Sequence, residues 1–356
     1  MIENKQNTNL NEYGEFGLID LLTKDIKLKN KSSLLGVGDD AAVIDSQNRL
    51  QVVSTDLLVE GIHFDMHYTP LKHLGYKAIA CNLSDIAAMN AHPEQVLVGI
   101  AVSSKYTVEA IEELYIGMKM CCHRYGVDFV GGDTTSSASG LFISVTVMGY
   151  AQKDKIVKRS TANEHDLICV SGDLGSAYMG LLILEREKQV FLANPQAQPD
   201  LEGFDYVLER QLKPEPRLDI VDILAEKNIV PTSMIDISDG LASEILHICQ
   251  QSDKGCRLYE EKIPIDTKTY DSCLEFGITP SIAALNGGED YELLFTIKQD
   301  DYEKIKNSPD ITIIGYMTDK LEGKSLITKD DKLIELKAQG WNAFTKNQKH
   351  DSKDTK

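Results

Sequence analysis

A chain of 356 residues, 42% hydrophobic and 26% charged, is long enough for two domains, each with a core of its own. Its formal net charge of -18 argues against nucleic acid and anionic membranes as partners, because both need a basic face. No apolar run reaches the ~20 residues of a membrane span, and the polar start "MIENKQNTNLNEYGEFG" is no signal peptide.

In chain order, "AAVID", a polar turn at Ser46 to Arg49 and "LQVVSTD" predict a β-hairpin. "LKHLGYKAIACNLSDIAAMNA", Leu71 to Ala91, carries apolar residues at helical spacing and stops before Pro93. "QVLVGIAVSS" reads as a strand, and Thr107 as the N-cap of a helix reaching about Tyr125. "VDFVGG" and "LFISVTVMGYA" are strands around a loop "DTTSSASG". Beyond Lys153, "DLICVSG" predicts a strand and "LGSAYMGLLILERE" a helix, followed by an irregular stretch with Pro195, Pro199, Pro214 and Pro216. "RLDIVDILAEKN" is a helix, "SMIDISD" a strand, "GLASEILHICQQSD" a helix, and "GGEDYELLFTI" and "ITIIGYMT" are strands before a hairpin around Lys329 to Lys332.

The polar segment "AQKDKIVKRSTANEHD" suggests a division into residues 1–152 and 153–346, with 347–356 as a disordered tail. The seven cysteines form no C-x-x-C pair and several lie in apolar stretches, which suits free thiols in a reducing cytoplasm.

Gly36-x-Gly38-x-x-Ala41 matches the form of a dinucleotide fingerprint, with Asp56 downstream. The segment behind it alternates like a strand, however, and leaves no room for the helix that motif requires. Asp39 and Asp40 would also press carboxylates against a pyrophosphate. No G-x-x-x-x-G-K-[ST] occurs anywhere.

Aspartates recur instead at strand ends and beside hydroxyls. They are Asp40 in "GDD", Asp56 in "STD", Asp133 in "GGD", Asp236 and Asp239 in "IDISDG", and Asp85 in the helical "NLSD". Singly, an aspartate after Gly or Ser is as readily a turn or cap residue. Together they offer oxygen ligands for Mg²⁺, which takes one or two carboxylates plus phosphate and water. An acidic protein can then bind a phosphorylated ligand without a basic cradle.

"GVGDDAAVI", "STDLLVEGIHF", "GYKAIACNLSDIAAM", "GGDTT", "IDISDGL" and "GGEDYELLF", in this order, resemble the thiamine-monophosphate kinase family. The resemblance implies an α/β (α+β) two-domain fold like aminoimidazole-ribonucleotide synthetase. Its N-terminal mixed sheet would pair across a homodimer, and the C-terminal half would form an α/β sandwich. It implies transfer of the γ-phosphoryl of ATP to thiamine monophosphate, giving thiamine diphosphate and ADP. Asp40, Ser54, Thr55, Asp56, Asp85, Asp133, Asp236 and Asp239 match ligands of several Mg²⁺ ions. Tyr115, Gly132, Asp133, Arg159 and Ser238 match ATP contacts, while His63, Glu289 and Trp341 match contacts to thiamine phosphate. Met89-Asn90-Ala91 stands where the family usually has Met-Gly-Ala, and 185–204 looks longer than usual with no assigned role.

The acceptor is itself an anionic phosphate, since the second pKa of a monoester is about 6, so no general base is needed. The obstacle is repulsion between two polyanions, which divalent ions relieve. Two rival readings remain. A selenophosphate synthetase would carry a reactive cysteine near its N-terminus, whereas the first here is Cys81, within a predicted helix. A non-enzymatic cation binder would leave the acceptor-side motifs without a purpose.

Overall fold

The helix Leu71–Ala88 (α1) is buried on nearly every side, with 14 of its 18 residues inaccessible. A helix that is buried all round must lie between layers. Here it touches one sheet with one flank and a second sheet with the other. The computed structural model of the chain describes residues 18, 21–35, 43–46 and 48–338. Asp40, Trp341 and the predicted tail 347–356 lie outside the described residues.

Ser33–Leu35 (β1) and Val43–Ile44 (β2) pair antiparallel as a small ribbon. The first large sheet is built from Leu50–Val59 (β3), His92–Ser103 (β4), Asp128–Ser137 (β5) and Leu141–Ala151 (β6). Its order is β3-β6-β4-β5, with β4 and β5 parallel and the other pairs antiparallel. The predicted hairpin between "AAVID" and "LQVVSTD" is therefore not formed: β2 pairs with β1, while all ten residues of β3 find partners along β6. A ten-residue ladder satisfies far more backbone groups than a two-residue strand can. The predicted loop "DTTSSASG" also differs, because β5 runs on to Ser137 against β4.

One face of this sheet is closed by α1 and by Val108–Tyr125 (α2), around Leu74, Ile79, Leu83, Leu114, Met118, Ile143 and Val145. The two helices cross in contact because glycine stands at the crossing on each. A Cβ on Gly75 would lie 1.9 Å from the Leu114 carbonyl oxygen, and one on Gly117 would lie 1.9 Å from that of Lys72. Thr107 is the predicted N-cap, its Oγ1 accepting from the Ala110 amide at 3.3 Å, and the helix ends at Gly126 with φ 67°. Replacing this cap, Thr107→Ala, is expected to cost about 1 kcal/mol in urea denaturation. An unchanged midpoint would show that the cap contributes nothing.

The second sheet holds Leu167–Ser171 (β7), Ser233–Asp236 (β8), Gly255–Tyr259 (β9), Leu293–Ile297 (β10), Ile311–Thr318 (β11), Lys324–Ile327 (β12) and Leu333–Glu335 (β13). Their order is β13-β12-β9-β11-β7-β10-β8, antiparallel except for β9 beside β12. The helices of this half are Ser176–Ala193 (α3), Asp205–Leu212 (α4), Leu218–Glu226 (α5), Leu241–Ser252 (α6), Thr267–Glu275 (α7) and Pro280–Asn286 (α8). Leu241, Ile245 and Ile248 of α6 pack with Ala284 of α8 on one face. Leu218, Val221 and Leu224 of α5 cover the other together with Ala87 and Ala88 of α1. The end of α1 thus belongs to the cores of both sheets.

The stretch 185–204 ties the two halves together. Tyr68 donates its hydroxyl to Glu185 at 2.8 Å, and Lys188 pairs with Asp65 at 2.8 Å. Burial would raise the Asp65 pKa, but the bonds from Lys188 and His67 outweigh it and hold that carboxyl down at about 2. Arg186 lies over Phe204 and Phe276 while pairing with Glu275 at 2.7 Å. Among the described residues no helix is long and apolar enough to cross a membrane.

Candidate active site between the two sheets

Neighbouring residues on α1 reach opposite sheets. Asp85 accepts a hydrogen bond from Ser54 Oγ of β3 at 2.6 Å. Ser84, one residue earlier, donates to Asp236 Oδ2 at the end of β8 at 2.8 Å. Asp56 lies two residues beyond Ser54 on the same strand and therefore projects to the same face. Behind Asp236 the chain turns through Ile237-Ser238-Asp239-Gly240 into α6. Gly240 has φ 107°, and a Cβ there would meet the Leu285 carbonyl oxygen at 2.8 Å, so this turn excludes a side chain. Glu244, in the first turn of α6, is 3% exposed and holds the turn by accepting from the Asp239 amide at 2.9 Å.

The electrostatics are those of crowded carboxylates. Burial, and then the charge of Asp85, raise Asp56 to about 6. The same two causes raise Asp236 to about 7, and burial raises Glu244 to about 7. Asp85 and Asp239 are also raised, chiefly by burial. The exposed Arg159 partly offsets this, its charge lowering Asp85, Asp236 and Glu244. Arg159 is anchored by its carbonyl, which accepts from Ser233 Oγ and Ser252 Oγ at 3.0 Å each.

This donor set suits a hard divalent cation, being all oxygen and short of positive charge. Among the described residues no three His, Cys, Asp or Glu side chains converge into a complete metal cage. Mg²⁺ needs none, because it keeps water and takes phosphate oxygens beside one or two carboxylates.

The other expected ligands are distributed less tightly. By sheet register Asp56 lies in line with Val145, Val98 and Gly132, whereas Asp133 lines up with Gly99, Ser144 and Leu57. Asp133 and Asp56 therefore occupy opposite faces. Thr55 is on the face with Asp133, its Oγ1 donating to the Val145 carbonyl at 3.0 Å. Gly132 is required by the strands themselves, since a Cβ would fall 1.9 Å from the Val98 carbonyl oxygen. Tyr115 is 4% exposed against Phe129, and burial pushes its hydroxyl up to about 12. His63 is exposed in the turn after β3, where its Nδ1 accepts from the Val59 amide at 3.0 Å. Ser238 is half-buried, with Oγ 3.5 Å from Glu244.

The "GGEDYEL" run places three acidic side chains in different settings. Glu289 adopts φ 64° and pairs with the buried Lys77 at 3.0 Å. Asp290 caps α3 by accepting from the Gly175 amide at 2.8 Å. Glu292, 1% exposed, binds Arg210 at 2.8 Å and also Arg217.

Three residues near the site escaped the sequence reading: Lys77, Glu244 and Gln211. A lysine inside the apolar run "GYKAIAC" was a signal for the first. An acid shortly after the "SDG" turn was a weaker one for the second, and Gln211 carried none.

Residues 38–151 match the family described as AIR synthase related protein, N-terminal domain. Solved hydrogenase maturation protein HypE in complex with ATP is 19% identical with a TM-score of 0.70, and so shares the fold. Fold and site together define an AIR synthase-like α/β protein with a cluster of carboxylates between its two sheets. Thiamine-monophosphate kinase of Bacillus subtilis (strain 168) is 35% identical over 93% of this chain and 99% of its own length. That of Aquifex aeolicus (strain VF5) is 33% identical over 94% and 99%. The solved structure of AaThiL complexed with AMPPCP and TMP is 31% identical with a TM-score of 0.71, covering 95% of this chain and 99% of that one. The chain belongs to the thiamine-monophosphate kinase family.

Proposed function

We propose that this protein uses ATP to phosphorylate thiamine monophosphate, yielding thiamine diphosphate and ADP. The observation that carries the reading is the Ser84-Asp85 pair of α1, which draws Ser54 of one sheet and Asp236 of the other into one acidic cleft. A related protein, AaThiL, has been solved with AMPPCP and TMP.

In this reading Asp56, Asp85, Asp236 and Asp239, with Ser54, are the residues that would hold Mg²⁺. Asp40, Thr55 and Asp133 are proposed from the family motifs as further ligands, Thr55 and Asp133 projecting from the opposite face of the first sheet. The metal would supply neutralisation of the phosphates and alignment of attacking and leaving oxygens. The chain's own part is to hold those carboxylates fixed and close together, with Arg159 and Ser238 beside the ATP phosphates. Gly132 and Tyr115 are proposed to flank the nucleotide, and His63, Glu289 and Trp341 the acceptor. A phosphate oxygen of the acceptor attacks the γ-phosphorus, the bond to the β-phosphate oxygen breaks, and ADP leaves with that electron pair. No phosphorylated side chain is formed.

A homodimer is supported by the uncovered face of the first sheet, where Val53 and Leu57 are 58% and 54% exposed. Seven free, buried cysteines support a reducing, cytoplasmic setting. The division into 1–152 and 153–346 is supported by the two sheets, which meet on either side of α1. ADP release coupled to chromatographic detection of thiamine diphosphate tests the activity. Turnover with thiamine monophosphate but not with other phosphate monoesters is expected. ADP release driven only by another acceptor would overturn the assignment.

A further inference from the structure

Gln211, in the last turn of α4, is 5% exposed, and its two amide atoms have unequal fates. Nε2 donates to Glu289 Oε2 at 2.7 Å. Oε1 is buried and has no partner. Exchanging the two atoms would press the amide oxygen against the Glu289 carboxylate, so the oxygen is the end left free. Helices α3 and α4 meet closely at its root, where a Cβ on Gly180 of α3 would come within 2.9 Å of the Gln211 Cβ, and the bond to Glu289 holds its far end. A fixed, buried acceptor without a donor is costly and calls for a ligand or a water.

Its surroundings say which. Lys77, 5% exposed, donates to the Gln211 carbonyl at 2.9 Å and pairs with Glu289 at 3.0 Å, so one ammonium holds both residues. Glu289 itself sits at φ 64°, a conformation uncommon for a residue with a side chain and typical of functional turns. Lys77 and Asp85 share one stripe of α1, eight residues apart, which is about 12 Å along the axis. The Lys77–Glu289–Gln211 group therefore stands off from the carboxylate cleft by a span comparable to that between the phosphate and the aminopyrimidine of thiamine.

We propose that Gln211 is a specificity-determining contact for the acceptor, its carboxamide oxygen receiving an exocyclic N–H of a 4-aminopyrimidine. Lys77 is the positioning residue that fixes Gln211 and Glu289. This rests on thiamine monophosphate being the acceptor.

The test compares thiamine monophosphate with oxythiamine monophosphate, in which an oxo group replaces the amino group. A site built to receive an N–H rejects an analogue lacking it, so wild type should prefer the amino compound by about 30-fold or more in kcat/KM. Gln211→Met should raise KM for thiamine monophosphate about tenfold or more, leave KM for ATP unchanged, and bring the preference to within about threefold. If Gln211→Met does not fold by circular dichroism, Gln211→Asn, which withdraws the amide by one methylene, should shift the ratio in the same direction. Equal use of both acceptors by wild type would mean that water fills the position and would overturn the proposal. So would a folded variant that keeps the wild-type ratio. Absence of ADP release with thiamine monophosphate would instead overturn the functional reading on which the proposal stands.

Discussion

Asp85→Asn and Asp236→Asn are each expected to lower kcat/KM by about 10²–10³-fold while raising the melting temperature of the metal-free protein. The first effect follows from the proposed function, in which each carboxylate is a fixed charge that would organise phosphate and metal during transfer, where a single electrostatic contact is worth that much. The second follows from the way these carboxylates crowd one another. Burial and the Asp85 charge together hold Asp236 near 7, so at pH 8 the folded state carries an ionised, poorly compensated group. Asparagine keeps an oxygen to accept from Ser54 at position 85 or from Ser84 at position 236, and it removes the repulsion. A relief of about 1 kcal/mol corresponds to roughly 2–4 °C. A purely structural aspartate would do the reverse, since removing a stabilising partner lowers the melting temperature. Steady-state kinetics and calorimetry without divalent ions separate the two. A variant that melts lower than wild type, or one with wild-type kcat/KM, would remove that aspartate from the catalytic set.

What the sequence disclosed and what it withheld follow from the range of the interactions involved. Helix α1 was legible because its apolar residues recur around the whole helix, and α2 because Thr107 caps its own N-terminus through Ala110. The end of β8 at Asp236 was legible from a short apolar run closing on Ser-Asp-Gly. Each of these is a local property. The partner of β3 was not legible: a neighbouring strand is the usual choice, yet β6, some ninety residues on, offered a full ladder. Helix α4 went unseen because prolines bracket it on both sides, at 195 and 199 and again at 214 and 216. Asp133 and Asp56 looked alike in sequence, each ending a strand beside small residues. Only the register reveals that they project from opposite faces. Gln211 and Lys77 acquire meaning only when α4, α1 and the turn before β10 meet.

Protons and divalent metal ions should compete for the cleft, so the stabilisation given by Mg²⁺ is expected to grow as pH rises. Asp56 stands near 6, and Asp236 and Glu244 near 7, all above the unfolded values of about 3.9–4.3 for such side chains. The folded chain therefore binds more protons than the unfolded chain between about pH 4 and 7. Linkage then makes the metal-free protein less stable as pH climbs through that window. Bound metal requires the ionised form and releases those protons, so it offsets a penalty that is absent in acid and full above neutrality. Melting curves with and without millimolar Mg²⁺, near pH 5.5 and near pH 8, should show a small shift at the lower pH and one of several degrees at the higher. Sodium at matched ionic strength should not reproduce it, because screening lacks the coordination that draws the protons off. A Mg²⁺ shift of equal size at both values, or a larger one in acid, would mean that the ions bind elsewhere than among these carboxylates.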